Sequence, residues 1–222
     1  MQGVRPAGYS QPLVSLFITF EGVEGSGKST HARALVARLR AEGREVVETR
    51  EPGGTPAGAA LRALLLGAES LPLTPLAELF MYCADRTQHI TEVIAPALAA
   101  GTVVVCDRFS DSTIAYQGYG RGLDLGLVRG LDAQARGGVS PALTFLLDCP
   151  VALGLRRARA RSRAGDRFER EAEAFHERIR TGFHALAAES PSRVVVLDSS
   201  GDAAAVDARI WAETARRLET RE

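Results

Sequence analysis

The stretch Gly22-Val23-Glu24-Gly25-Ser26-Gly27-Lys28-Ser29 decides how this chain is read. It has the form G-x-x-x-x-G-K-S, follows the apolar run Leu16-Phe17-Ile18-Thr19-Phe20, and opens onto the helix formers Ala32, Arg33, Ala34 and Leu35. In that strand–loop–helix setting the glycines let backbone N–H groups turn inward on a phosphate, and the helix N-terminus adds partial positive charge. The lysine spans the β and γ phosphates, and the serine hydroxyl can hold Mg²⁺. The chain has 27 Lys plus Arg, and Lys28 is the only lysine among them. This setting implies a nucleoside triphosphate site whose ligands come from Gly22, Gly25, Ser26, Gly27, Lys28, Ser29 and Thr30.

Working outward, apolar runs at 16–20, 46–49, 102–106, 142–148 and 193–197 read as five buried strands. Their Val, Ile and Leu content is nearly continuous rather than alternating, as a parallel sheet covered on both faces requires. Helical patterns lie at 28–42, 57–66, 75–100, 123–135, 151–161, 170–188 and 203–218. The expectation is one α/β domain, a P-loop NTPase with a five-stranded, mostly parallel sheet and helices on both faces.

A second Mg²⁺ ligand is expected where a strand ends in Asp. Val103-Val104-Val105-Cys106-Asp107 fits, although Asp148 and Asp198 end strands in the same way. Arg108, next to Asp107, favours the first choice, because a cation there has work to do only if more phosphate arrives. Arg50 ends another strand, so Arg50 and Arg108 both fall at the carboxyl edge where open α/β sheets bind ligands. Arg86 lies on the long middle helix. From Arg156 to Arg167, six arginines and one acid fall within twelve residues, interrupted by Ser162 and Gly165. This cluster reads as a mobile flap that closes arginines over transferring phosphate.

Together, FEGVEGSGKST, TREPGGT, LFMYCADR, DRFSDSTIAYQ and RRARAR followed by DRFE resemble the bacterial thymidylate kinase family, from Phe17 to about Leu218. An arginine-free phosphate loop and an arginine-rich flap match the subtype with its catalytic arginine in the flap. The resemblance implies a kinase domain over 13–222, a lid at about 156–170, and transfer of the γ-phosphoryl group of ATP to dTMP. By it, Arg50 and Arg108 would hold the dTMP phosphate, and Glu24 would lie near the sugar 3′-hydroxyl and the bound cations. Arg86 would bond the thymine edge, Tyr82 would stack on the base, and Thr113 would serve as a polar base contact. Tyr116 would crowd the ribose 2′ position, Gln117 would line the pocket, and Arg161 and Arg167 would reach the phosphates from the lid. Lys28, Arg108, Arg161 and Arg167 would share catalysis with Mg²⁺ held by Ser29 and Asp107. The family is dimeric, which implies a homodimer.

Two other readings remain at this stage. A deoxynucleoside kinase would use Glu51 as general base, because a nucleoside hydroxyl must lose a proton; a monophosphate, with a second pKa of about 6, need not. A nucleotide-dependent switch ATPase would use the loop without an acceptor pocket. The chain contains no asparagine, which removes the usual guanine selector of switch GTPases.

Composition narrows the rest. Against 27 cations stand 27 Asp plus Glu, for a net charge of zero over 222 residues, which disfavours nucleic acid as a partner. No apolar run reaches the length of a membrane span. Cys83, Cys106 and Cys149 sit far apart in apolar stretches and read as reduced core residues of a cytoplasmic protein. Residues 1–12, without periodicity, read as a disordered extension. His31, His89, His176 and His184 are scattered over helical patterns and receive no role.

Overall fold

The computed structural model describes residues 15–67, 72–161, 168 and 171–219. The extension expected at 1–12, and lid residues 162–167 and 169–170, lie outside them.

Five strands form one sheet: β1 (Phe17–Glu21), β2 (Val46–Arg50), β3 (Val103–Asp107), β4 (Leu143–Asp148) and β5 (Val194–Asp198), in the order β2-β3-β1-β4-β5. Every pairing is parallel, so the expected "mostly parallel" sheet is wholly so. The strand runs are apolar throughout because alternate residues enter different cores. Ile18, Phe20, Val103, Val105, Phe145 and Leu147 pack beneath α1 (Lys28–Ala41) and the C-terminal helix over 203–219 through Leu35, Leu39 and Ile210. Phe17, Val104 and Cys106 enter the opposite core with Ile94 and Phe109. The edge strands β2 and β5 are only partly covered, while the central strands are buried almost throughout.

The remaining described helices are α2 (Pro56–Leu66), α3 (Pro75–His89), α4 (Ala95–Ala99), α5 (Ser110–Thr113), α6 (Leu125–Arg136), α7 (Val151–Arg161), α8 (Glu173–Glu189) and α9 (Ala203–Glu219). Side-chain caps hold several of the described helix starts, Asp202 accepting from the Ala204 amide at the start of α9 among them. Thr55 and Thr74, each followed by proline, accept from the Gly58 and Ala77 amides, and Asp124 accepts from Leu127.

Two departures from the sequence reading have local causes. The helix expected over 75–100 is interrupted by a π segment, Ile90–Ile94, leading into α4. Pro96 has no N–H to continue the i to i−4 ladder, and the preceding turn widens. A helical segment also appears where none was marked: α5 runs into a second π segment, Ile114–Gly120, against α8. This segment carries the residues after Arg108 across the carboxyl edge of the sheet.

Candidate active site

β1 delivers its loop at the sheet's carboxyl edge. Gly22, Gly25 and Gly27 there take φ of 140°, 68° and 98°, values that a side chain strongly disfavours. At Gly25 space is closed as well, since an added Cβ would lie 2.0 Å from the Gly154 carbonyl oxygen. One added at Gly154 would lie 2.3 Å from the Glu24 carbonyl oxygen. The phosphate loop thus rests backbone to backbone on the first turn of α7.

Lys28 is buried and donates from Nζ to the Val23 carbonyl at 2.7 Å and to Ser26 Oγ at 3.4 Å. Burial, with nearby Arg108, lowers its pKa to about 8. Ser29 donates its hydroxyl to Asp107 Oδ2, and Asp107 Oδ1 is buried without a hydrogen-bond partner. Asp148 and Asp198 are engaged elsewhere, with Arg180 and with the Ser200 amide. A hydroxyl against a carboxylate that keeps an unmet oxygen fits a hard, oxygen-seeking cation such as Mg²⁺.

Arg108 follows β3 with φ of 69°, the left-handed region that a non-glycine residue occupies only when its surroundings enforce it. Its amide bonds to the Phe20 carbonyl at 2.9 Å. The guanidinium donates to the Gly22 carbonyl at 3.2 Å, to Ser112 Oγ at 3.1 Å and to Glu24 Oε1 at 3.0 Å, and lies over the Tyr116 ring. Tyr116 donates to the same Glu24 oxygen at 2.6 Å. Burial opposes charge on Glu24, but Arg108 foremost, then His176, Lys28 and Tyr116, holds its carboxyl well below the usual carboxylate range. Glu24 therefore stays anionic.

These groups open onto one cavity of about 180 Å³. Of the residues singled out from the sequence, Glu24, Gly25, Gly27, Lys28, Ser29, Arg50, Tyr82, Arg86, Asp107, Arg108, Thr113, Tyr116 and Gln117 line it. Gly22 and Ser26 belong to the loop but do not line the cavity, and Thr30 is exposed on the first turn of α1. Arg161 closes α7, but its side chain, like all of Arg167, lies outside the described residues.

Arg86 is more deeply committed than an edge-reading arginine needs to be. At 1% exposure it donates from Nε and Nη2 to Glu51 Oε2 (2.9 and 2.8 Å), from Nη1 to Asp132 Oδ1 (2.7 Å) and from Nη2 to Thr113 Oγ1 (2.9 Å). Four of its five N–H groups are thereby used, and one on Nη1 remains for another acceptor. Glu51 also faces His89 Nδ1 at 3.0 Å. A carboxylate so held anchors Arg86, which does not favour the reading of Glu51 as the base of a nucleoside kinase. Gln117 is likewise oriented, donating to Glu78 Oε1 at 2.8 Å.

The structure adds residues that sequence reasoning passed over. Arg62 on α2 lines the cavity and donates to the Pro52 carbonyl at 2.8 Å. Burial, then Arg50 and Arg108, lowers its pKa, so three cations converge at one corner. The histidines expected to be idle are not all so. His89, completely buried, joins Glu51 to Thr49, while His176, equally buried, faces Glu24 at 3.2 Å and the Phe168 carbonyl at 3.0 Å. Phe168 lines the cavity edge-on to Tyr116. A lone histidine in a helical pattern gives no signal of such partners.

The family model described as thymidylate kinase matches residues 20–210. The thymidylate kinase of Citrifermentans bemidjiense is 54% identical over 194 residues, covering 85% of this chain and 86% of that protein. That of Synechococcus sp. strain JA-2-3B'a(2-13) is 55% identical over 203 residues, covering 91% and 96%. The crystal structure of thymidylate kinase from Ehrlichia chaffeensis superposes with a TM-score of 0.69 at 37% identity, over 83% of this chain and 93% of that one. With a phosphate loop and a corner of converging cations in one cavity, and this similarity over most of its length, the chain belongs to the thymidylate kinase family.

Proposed function

We infer that this protein transfers the γ-phosphoryl group of ATP to dTMP, giving dTDP and ADP, as a nucleoside monophosphate kinase. The observation that carries the reading is a single cavity lined both by the phosphate loop and by converging arginines. The acceptor attacks as a phosphate dianion, so no general base is required. Lys28 and the loop amides hold the donor phosphates, and Arg50, Arg62 and Arg108 hold the acceptor phosphate. Arg86 and Thr113 face the base, Tyr82 stacks on it, and Tyr116 closes the ribose side. Ser29 and Asp107 would hold Mg²⁺, which when bound neutralises charge on the donor phosphates. Arg161 and Arg167 belong to the same scheme as lid cations.

Two further parts of the reading have their own support. Leu64, Leu76, Phe80 and Leu127 are large and exposed on α2, α3 and α6, helices that pack side by side, which supports a homodimer through this face. Cys83, Cys106 and Cys149 are free thiols, in keeping with the reducing cytoplasm. Among the described residues no helix is long and apolar enough to cross a membrane.

The test compares kcat/KM for dTMP, dUMP, UMP and thymidine with ATP and Mg²⁺. Thymidine should be a very poor acceptor, because without its phosphate the converging cations stay unpaired. dUMP, lacking one methyl, should lose about 10 to 200-fold. UMP should be worse than dUMP because its 2′-hydroxyl meets Tyr116. Thymidine matching dTMP would overturn the monophosphate assignment.

A further inference from the structure

Behind the acceptor corner lies a buried carboxyl that the scheme above does not use. Glu21, the last residue of β1, is 1% exposed. Its Oε1 accepts the Phe109 amide N–H at 2.8 Å, and its Oε2 lies 2.5 Å from Ser112 Oγ. These two bonds bracket the turn that follows Arg108, the residue held at φ 69°. Ser112 lines the cavity and also accepts from Arg108 Nη1 at 3.1 Å. A hydroxyl has one proton to give. If Glu21 is ionised it takes that proton, and Ser112 turns only lone pairs toward an incoming phosphate. If Glu21 is neutral its own O–H donates to Ser112 Oγ, and the serine proton is free to point into the cavity.

We propose that Glu21 is a positioning residue for acceptor binding, fixing the turn that presents Arg108 and directing the Ser112 hydroxyl proton toward the acceptor phosphate. The inference rests on the assignment of that phosphate to the Arg50 and Arg108 corner. The charged groups around Glu21 are Arg108 from the loop after β3, Lys28 from α1, and Asp111 on α5, which is itself paired with Arg193 at 2.6 Å. Burial first, then Asp111, raises Glu21 to about 8, so the neutral form prevails at pH 7.

The experiment is steady-state kinetics on the full chain between pH 6.5 and about 9.5, with dTMP and ATP varied separately. In the wild type the KM for dTMP should climb as pH passes about 8, where Glu21 ionises. Glu21→Gln keeps an acceptor for Phe109 and a permanent donor for Ser112. It should hold the wild-type KM for dTMP at pH 7 within about threefold and stay flat at higher pH. Lys28 also titrates near pH 8 and feels Glu21, but its effect falls on the donor phosphates, so the KM for dTMP measured against that for ATP isolates Glu21. Glu21→Ala should raise the KM for dTMP about tenfold or more and leave that for ATP within about threefold. Thermal melting checks folding, and if the alanine variant does not fold, the pH comparison of Gln with wild type decides alone. The proposal fails if the Gln variant follows the wild-type pH dependence. It also fails if the folded Ala variant keeps its KM for dTMP, or loses ATP and dTMP equally. Unchanged KM for dTMP in Arg50→Ala and Arg108→Ala would instead remove the acceptor-site assignment on which it rests.

Discussion

Replacing Arg86 with alanine should damage the fold before it reports on base recognition. The guanidinium joins Glu51 and Asp132, whose side chains are 2% and 1% exposed. Its loss leaves buried Glu51 without its arginine, Asp132 with only Arg136 at 2.8 Å, and Thr113 without its donor. Breaking a buried ion pair from one side costs about 3–5 kcal/mol, a third or more of the total stability of many domains. For a chain of this size, about 2–4 °C of melting temperature goes with each kcal/mol, so the melting point should fall by about 6–20 °C. Arg86→Lys should recover only part of that, because an ammonium cannot reproduce a planar fork spanning both acids. Arg50→Ala, at the exposed end of β2, should stay within about 0.5 kcal/mol of wild type and lose acceptor affinity alone. The assay is thermal and urea denaturation of the nucleotide-free proteins, with dTMP saturation kinetics alongside. If Arg86→Ala melted within about 2 °C of wild type while its KM for dTMP rose, the buried network would not be structural, and the reasoning would be wrong.

Lys28→Ala should fold normally, because the ammonium meets loop oxygens and not the core, while kcat falls by about 10²-fold or more; activity near wild type would take the loop out of the chemistry. Asp107→Ala should shift the Mg²⁺ dependence of turnover to at least about tenfold higher concentration at saturating ATP. An unshifted titration would mean that the unmet oxygen of Asp107 has another use. Asp85 accepts from the Gly53 amide through Oδ1, and its Oδ2 is buried without a partner. Burial, then Glu51, raises its pKa to about 6. A carboxyl raised in the folded state favours folding when protonated, and that contribution is lost as pH climbs from about 4 through about 6. Asp85→Asn should therefore flatten the stability profile over that window and gain on the order of 2 kcal/mol relative to wild type above it. Parallel wild-type and variant profiles would refute the assignment.

The strands were legible to within a residue because burial on both faces leaves an unbroken apolar signature, as at Val103–Asp107. The phosphate loop was legible because its chemistry lies within eight consecutive residues. The segment Ser110–Gly120 escaped because Ser, Asp, Thr and Gly carry no helical periodicity, and its shape comes from packing on α8 and from Glu21 at its base. Arg86 was identifiable as a site residue, but its commitment to Asp132 was not, since nothing local marks a partner on another helix. The same holds for His176 and Glu24. Glu51 illustrates the converse, where a plausible local chemistry gave way to a long-range pair.

The mutual contact of Gly25 and Gly154 has a mechanical meaning. Between most packed elements lies a layer of side chains that can change rotamer and absorb small displacements, but here two backbones touch directly. The helix that leads to the arginine cluster gives up intrinsic propensity for this, since a glycine inside a helix costs about 0.5–1 kcal/mol relative to alanine. What it gains is a stiff joint. With no side chains between them to yield, bending at the root of α7 would press directly on the phosphate loop. An engineer grafting a longer or shorter arginine segment onto this scaffold would keep the first turn of α7 untouched and splice beyond it.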